Sequence, residues 1–102
     1  MKQTNIYLGI NTNSNPVIEQ IEVADWIQRK LSLFPKGFTW QFINGCYEGQ
    51  IEQSVLFIII QDEPVDFAVF DLYLRDFNQE SYLVTIQKVD SYLHYNPEFL
   101  NK

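Results

Sequence analysis

Two glutamates placed beside predicted turns are the side chains best suited to proton transfer. Glu52 follows a turn at Glu48-Gly49-Gln50, and Glu80 directly precedes the last predicted strand. Two carboxyl groups brought to one place can serve as general acid and general base. The sequence therefore offers Glu52 and Glu80 as catalytic candidates. The alternative, that both are solvated charges beside turns, remains open.

Signatures of metal, nucleophile and phosphate chemistry are missing from the sequence. His94 and the single cysteine, Cys46, are the only soft ligands, whereas a structural zinc site needs four ligands. Cys46 follows Gly45 in a predicted turn without a neighbouring base, which favours a structural thiol. No glycine-rich phosphate-binding motif occurs. We therefore expect no metal and no cofactor.

Acidic residues cluster between positions 62 and 76. They are Asp62, Glu63, Asp66, Asp71 and Asp76, and Arg75 is the only cation among them. The chain as a whole has 7 Lys or Arg and 13 Asp or Glu, giving a net charge of −6 that disfavours direct binding of nucleic acid. Such a cluster either keeps a protein soluble or docks onto a basic partner protein.

Length and composition indicate one folded domain. A chain of 102 residues with 46% hydrophobic residues can bury one core and is too apolar for intrinsic disorder. We assign a single domain to 1–102, with a C-terminal tail at 96–102. The longest apolar run, Val55–Ile60, is far shorter than the roughly 20 residues of a membrane span. With a single cysteine, we expect a cytoplasmic protein that does not contact membranes.

The first half of the chain predicts a strand followed by a helix. The strand covers Asn5–Ile10, and the polar loop Asn11–Pro16 follows it. A helical stripe of apolar residues comes next, and Pro35 ends the helix. The stripe consists of Ile21, Ala24, Ile27, Leu31 and Phe34. The start of this helix is left open between Asn15 and Glu22.

The second half predicts three strands and another helix. Apolar and polar residues alternate over Phe38–Phe42, and Asn44-Gly45 is typical of a turn or bulge. No alternation occurs in Ile51–Gln61, which indicates a central strand covered on both faces. A helix over Val65–Phe77 and a strand over Ser81–Tyr92 complete the pattern.

The order β-α-β-β-α-β predicts an α+β protein with the ferredoxin-like sandwich, a four-stranded antiparallel sheet with two helices on one face. Another α+β arrangement with different strand pairing remains the alternative. The 8 Phe, 6 Tyr and 2 Trp are many for one small core. Phe38, Trp40 and Phe42 share one strand face, either in the core or on an exposed face. We expect a homodimer through the open sheet face.

Several short motifs resemble a small bacterial domain family of unknown function. They are Trp26, Leu33–Thr39, Gly45–Tyr47, Glu52–Leu56 and Phe77–Ser81, in the order of that family. The clearest fit the patterns F-P-x-G-F-T and F-x-Q-E-S, whereas Tyr47 stands where tryptophan is commoner. The resemblance implies the ferredoxin-like fold and no established activity. If the family shares a functional site, the resemblance implies that its polar residues here are Thr39, Tyr47, Glu52, Gln79 and Glu80.

The lack of a catalytic signature favours a non-catalytic protein-interaction module. A small acidic chain rich in Asn and Gln is typical of an inhibitor or regulator of a nucleic-acid-handling host protein, encoded by a phage or mobile element. The partner-binding residues would be Thr39, Trp40, Tyr47, Gln79, Asp62, Glu63, Asp66 and Asp71.

The alternative is a small dimeric ferredoxin-like enzyme or ligand-binding domain. Its pocket would lie between the helices and the sheet, lined by Trp26, Trp40 and Tyr47. Glu52 or Glu80 would act there as acid or base.

Overall fold

Four strands and two principal helices follow one another in the predicted order. The computed structural model describes residues 1–10 and 18–100, with main chain only at Tyr47 and Leu100. The elements are β1 Lys2–Gly9, α1 Gln20–Arg29, a 3-10 helix Leu31–Leu33, β2 Thr39–Tyr47, β3 Gln50–Gln61, α2 Ala68–Asp76, β4 Tyr82–Lys88 and α3 Pro97–Leu100. The predicted loop Asn11–Pro16, with the earliest predicted helix start, lies outside the described residues.

All four strands belong to one antiparallel sheet in the order β2-β3-β1-β4. Ile6 at the centre of β1 lies opposite Phe57 on β3 and Val84 on β4, and Phe57 in turn lies opposite Trp40 on β2. Each helix connects two strands that are separated in the sheet by a third. This is the ferredoxin-like arrangement, so the predicted fold class is confirmed.

The core forms where one face of the sheet meets both helices. Alternate residues of the two central strands are buried there, together with three residues from each helix: Ile6, Leu8, Val55, Phe57, Ile59, Val23, Trp26, Ile27, Val69, Phe70 and Tyr73. Phe57 contacts the rings of Phe34 and Phe70, each with centroids 5.2 Å away. Each fully buried side chain of this size stabilises the fold by about 1.5–3 kcal/mol.

The three aromatic residues at and just before the start of β2 belong to this same face. Phe38, Trp40 and Phe42 are partly buried and pack against the core. Trp40 and Phe42 meet edge to face with centroids 5.3 Å apart. Of the two interpretations of these aromatics, the structure supports the core face.

The predicted apolar stripe of the first helix is right only in part, because Ile27 and Phe34 are buried but two other members are exposed. Ile21 is 72% exposed and Leu31 is 43% exposed, while the buried residues are Val23, Trp26 and Ile27. The same three- and four-residue spacing fits both stripes, and the one that carries the large indole faces the core. Because α1 ends at Arg29, Leu31 lies beyond the helix.

Several predicted boundaries also differ. Asn44 and Gly45 do not turn but continue β2, opposite Gln53 and Glu52, and the chain reverses at Glu48-Gly49. The second helix begins only at Ala68, whose N–H donates to the Asp66 carboxylate at 3.0 Å. Asp66 lies one residue before the N-cap, Phe67, so its hydrogen bond closes a turn that precedes the helix.

The other face of the sheet is covered by neither helix. We call it the open face; it carries Gln3, Asn5, Tyr7, Gly9, Thr39, Gln41, Ile43, Gly45, Glu52, Ser54, Leu56, Ile58, Ile60, Leu83, Thr85 and Gln87. Strand β3 is central, as predicted, but Ile60 on its open side is 42% exposed. Leu56 on the same side is only 9% exposed, and cover of this face by another copy stays a prediction. Within the described residues, no helix has the length and apolar character needed to cross a membrane.

Candidate functional site

A cleft of about 620 Å³ opens on the open face, where β1 ends and β4 begins. Its walls come from the ends of β1, β2 and β3, from residues 78–81, and from Leu83. Small-molecule sites typically measure about 300–1,000 Å³. We call this region the open-face cleft.

Antiparallel pairing builds the sheet side of the cleft. Glu52 on β3 lies opposite Gly45 on β2, and Ser54 lies between Ile43 on β2 and Gly9 on β1. Each of these acidic and hydroxyl side chains therefore has a glycine as a cross-strand neighbour. A Cβ placed on Gly45 would meet nothing nearer than the Glu52 carbonyl oxygen at 4.0 Å. The two glycines leave room for a ligand beside Glu52 and Ser54.

The opposite wall comes from the segment that links α2 to β4. Asn78, Gln79, Glu80 and Ser81 all line the cleft. The Gln79 amide group donates to the Phe77 carbonyl oxygen at 3.1 Å, which fixes one end of this side chain. Glu80 thereby reaches the same cleft as Glu52, although 28 positions separate them in the sequence.

A buried tyrosine supports the floor of the cleft from the helix side. The Tyr73 hydroxyl donates to the Gly9 carbonyl oxygen at 2.9 Å, and burial raises the pKa of Tyr73 above its ordinary value. The neutral phenol therefore remains available as a donor. Next along the chain, the Ile10 N–H donates to the Gln53 carbonyl oxygen at 3.0 Å, which ties the end of β1 to β3.

The electrostatic character of the cleft is acidic. Glu52 and Glu80 are the carboxylates among its described lining residues, and neither lysine nor arginine is among them. Carboxylates without a cationic neighbour attract positively charged ligands, and the attraction grows as a ligand displaces water. The cleft is therefore suited to a small cationic molecule.

The solved structures similar to the chain include two of a phage SAM lyase. A phage SAM lyase in the apo state has a TM-score of 0.57 and 30% identity, covering 84% of this chain and 78% of that one. The chain belongs to the family of this phage SAM lyase. A phage SAM lyase in complex with S-methyl-5'-thioadenosine has a TM-score of 0.53 and 28% identity, covering 85% of this chain and 80% of that one. No protein-family model matches the chain, and no curated protein matches it significantly.

Membership of the SAM lyase family overturns the main functional prediction. A non-catalytic interaction module is wrong, because both similar structures are lyases and one of them holds a small molecule. The alternative prediction of a small ferredoxin-like enzyme or ligand-binding domain fits this relationship. The resemblance to a bacterial family of unknown function stays a prediction.

The structure brings some predicted site residues together and separates others. Glu52, Gln79 and Glu80 share the open-face cleft. Thr39 is exposed on the open face opposite Ile58, outside the cleft. Tyr47 lies opposite Gln50 at the end of the hairpin.

The predicted pocket between helices and sheet is wrong in its location. Trp26 is only 2% exposed, and its indole N–H donates to the Asp76 carboxylate at 2.9 Å. Trp40 also lies on the helix side, against Phe42. Trp26 belongs to the core and the partly buried Trp40 packs against it, whereas the cleft that contains Glu52 is on the other face of the sheet.

The acidic residues between positions 62 and 76 lie outside the open-face cleft. Asp66 accepts a hydrogen bond from the Ala68 N–H in the turn before α2, and Asp71 accepts a hydrogen bond of 2.8 Å from the Tyr82 hydroxyl. Partial burial, reinforced by Asp71, raises the pKa of Tyr82 to about 12. Asp62 and Glu63 are exposed at the end of β3. Several of these acids thus have local structural roles instead of forming one binding patch.

Several cleft residues were not predicted as site residues. Tyr7, Cys46, Ser54, Asn78 and Leu83 all line the cleft. Tyr7 had a usable signal, since it alternates with Ile6 and Leu8 and so must face away from the core. Among the described residues, no group of three or more His, Cys, Asp or Glu is placed to hold a metal ion.

Proposed function

We propose that this protein is an S-adenosylmethionine lyase that releases S-methyl-5'-thioadenosine. The observation that carries the proposal is the convergence of Glu52 and Glu80 in one cleft without a cation beside them. S-adenosylmethionine carries a sulfonium and an ammonium group, so it is the kind of cationic ligand that this cleft favours. Family membership supports the same conclusion.

The reaction breaks the bond between the sulfonium sulfur and the methionine Cγ. Both bonding electrons stay on sulfur, which becomes the neutral thioether of S-methyl-5'-thioadenosine. The four-carbon fragment then needs an electron pair at Cγ. Either its own carboxylate supplies the pair and closes a lactone ring, or the Cβ–H bond supplies it and a base takes the proton. Neither route adds water, which is what defines a lyase.

The two glutamates act best on the amino-acid part of the substrate. The sulfonium loses its charge as the bond breaks, so a carboxylate beside sulfur would stabilise the substrate more than the transition state. The ammonium group keeps its charge throughout and can hold the chain in a reactive conformation. We therefore assign Glu52 and Glu80 to this ammonium group, with proton removal as a further role if an alkene is formed.

The uncharged part of the cleft suits the nucleoside. Tyr7 lies opposite Leu83 on the neighbouring strand, and both side chains line the cleft. A phenol ring beside an aliphatic side chain offers a flat apolar surface for adenine. This pair and the two carboxylates would thus hold opposite ends of one substrate.

Mixing the purified protein with S-adenosylmethionine and separating the products by liquid chromatography and mass spectrometry tests the proposal. We expect one S-methyl-5'-thioadenosine for each substrate consumed, and the mass of the four-carbon product distinguishes a lactone from an alkene. Absence of the thioether, together with no rise in melting temperature on adding S-methyl-5'-thioadenosine, would refute the function.

We also propose that two copies pair through the open face. Glu52 is the only charged residue among the open-face positions, although the chain has a net charge of −6. Depletion of charge is typical of interface centres, and two acidic copies repel least where neither carries charge. Ile58 and Ile60 add aliphatic surface there. We further propose a cytoplasmic protein of phage or mobile-element origin, as the phage source of both similar structures suggests.

A further inference from the structure

The C-terminus of α2 ends in a tight reversal that leads directly into the open-face cleft. The Gln79 N–H donates to the Leu74 carbonyl oxygen at 2.9 Å, and the Asn78 N–H donates to the Arg75 carbonyl oxygen at 3.4 Å. This pair of bonds defines the Schellman motif, in which the residue after the cap adopts the left-handed conformation. Here that residue is Asn78, with φ of 52°.

Asparagine occupies a position that usually takes glycine. Among residues with a Cβ, asparagine is one of the few that enter the left-handed region at modest cost. Within the described residues, Asn78 and Glu48 are the non-glycine residues with positive φ. A right-handed residue at 78 would continue the helix and carry the chain past the edge of the sheet.

Both sides of Asn78 are firmly attached to the fold. Before it, Asp76 accepts the hydrogen bond of the buried Trp26 indole, and the Phe77 ring lies 4.7 Å from that of Tyr73. After it, Tyr82 is already paired with Leu8 in the sheet. Only residues 78–81 connect these fixed points, so the conformation at 78 decides where the next side chains point.

We propose that Asn78 is a positioning residue whose left-handed backbone directs Gln79 and Glu80 into the cleft. The activity test of this inference rests on the proposed lyase function. Asn78 itself lines the cleft, so a direct role of its side chain must be separated from the role of its backbone. Glycine and alanine separate them, because both remove the side chain but only glycine keeps the left-handed conformation at little cost.

The experiment compares Asn78→Gly with Asn78→Ala by kcat and KM on S-adenosylmethionine. We expect the glycine variant to stay within about twofold of the wild type, because it preserves the turn. The alanine variant should lose about tenfold in kcat/KM, because a displaced catalytic group lowers the rate steeply. Glu48→Gly and Glu48→Ala are matched controls, since Glu48 also has positive φ but lies outside the cleft. Those two should not differ in kcat/KM.

Equal losses in both Asn78 variants would assign the effect to the side chain and overturn the inference, and so would equal activity in both. If Asn78→Ala does not fold, Asn78→Ser replaces it in the same comparison. Hydrogen exchange of the Gln79 amide gives a readout that does not need activity: it should quicken in the alanine or serine variant but not in the glycine variant. A wild type that leaves S-adenosylmethionine intact would refute the function alone, and this exchange series would still decide the inference.

Discussion

The hydroxyl of Tyr73 on α2 donates a hydrogen bond of 2.9 Å to the main-chain oxygen of Gly9 at the end of β1. The Tyr73 ring is fully buried and packs edge to face on Trp26, with centroids 5.4 Å apart. Gly9 lines the cleft on the other face of the sheet. One hydrogen bond thus links the core between the helices to the floor of the candidate site.

Removing this bond should lower stability measurably. We expect Tyr73→Phe to reduce the free energy of unfolding by about 1–2 kcal/mol, because the Gly9 oxygen loses its phenolic donor. Urea denaturation of both proteins checks this. Tyr95→Phe is the matched control, since Tyr95 is 59% exposed and should change stability little. Equal stability of Tyr73→Phe and wild type would show that the bond is replaceable by water.

The hydrogen bond between Trp26 and Asp76 predicts that the free energy of unfolding depends on pH in the acidic range. The indole N–H holds the pKa of the Asp76 carboxyl below its ordinary value of 3.8, with a smaller contribution from Arg75 and against the opposing effect of partial burial. The ionised form is therefore favoured in the folded state. The stabilisation by the ionised Asp76 is complete at a pH above the pKa of the unfolded state. It is lost as the pH falls through the lower pKa of the folded state.

In Asp76→Asn, the free energy of unfolding should therefore fall less steeply than in the wild type as the pH is lowered. The variant should be less stable than the wild type at neutral pH, and the difference should shrink as the pH falls below about 4. Chemical denaturation at a series of pH values measures it. A difference that stays constant down to pH 2 would contradict the assigned cause.

Cys46 provides a chemical reporter for the cleft. It is the chain's single cysteine, its side chain is exposed, and it lines the cleft. We expect S-methyl-5'-thioadenosine to slow its alkylation by iodoacetamide in proportion to occupancy, because a bound ligand restricts access to the thiol. Mass spectrometry counts the adduct, and Cys46→Ser should give none. Unchanged labelling at saturating ligand would place the binding site elsewhere.

Pairing of two copies through the open face predicts the effect of one added charge. Wild-type protein should sediment at twice the chain mass, and Ile60→Glu should sediment at the chain mass, because it buries an unpaired carboxylate in each copy. Ile21→Glu is the matched control, as Ile21 is 72% exposed on α1, away from this face. A monomeric wild type would contradict the homodimer.

The strand order could be predicted from the sequence, because the positions of the turns and the hydrophobic periodicity of the segments constrain it strongly. An uninterrupted aliphatic run around Phe57 marked a central strand, and the β-α-β-β-α-β order allowed few topologies. The full set of buried residues in α1 could not be predicted in the same way. Ile21 and Val23 are both aliphatic, and only packing against the sheet decides which of them is buried.

The residues of the candidate site were also predicted only in part. Glu52 and Glu80 stand out as carboxylates beside turns, and the structure places both in one cleft. The face on which that cleft opens depends on register, because a shift of one residue moves every side chain to the other side. Asn78 was missed because a single left-handed residue leaves almost no trace in a sequence that lacks glycine there.

Release of S-methyl-5'-thioadenosine by the wild type and by the double variant Glu52→Gln, Glu80→Gln tests the central claim most directly. Both proteins are assayed at equal folded concentration, beside Glu63→Gln, an isosteric change outside the cleft. The wild type and Glu63→Gln should release the thioether at equal rates, while the double variant should be slower by about 100-fold or more. A wild type that releases none, or a double variant as fast as the wild type, would contradict the assignment of this cleft as a lyase site.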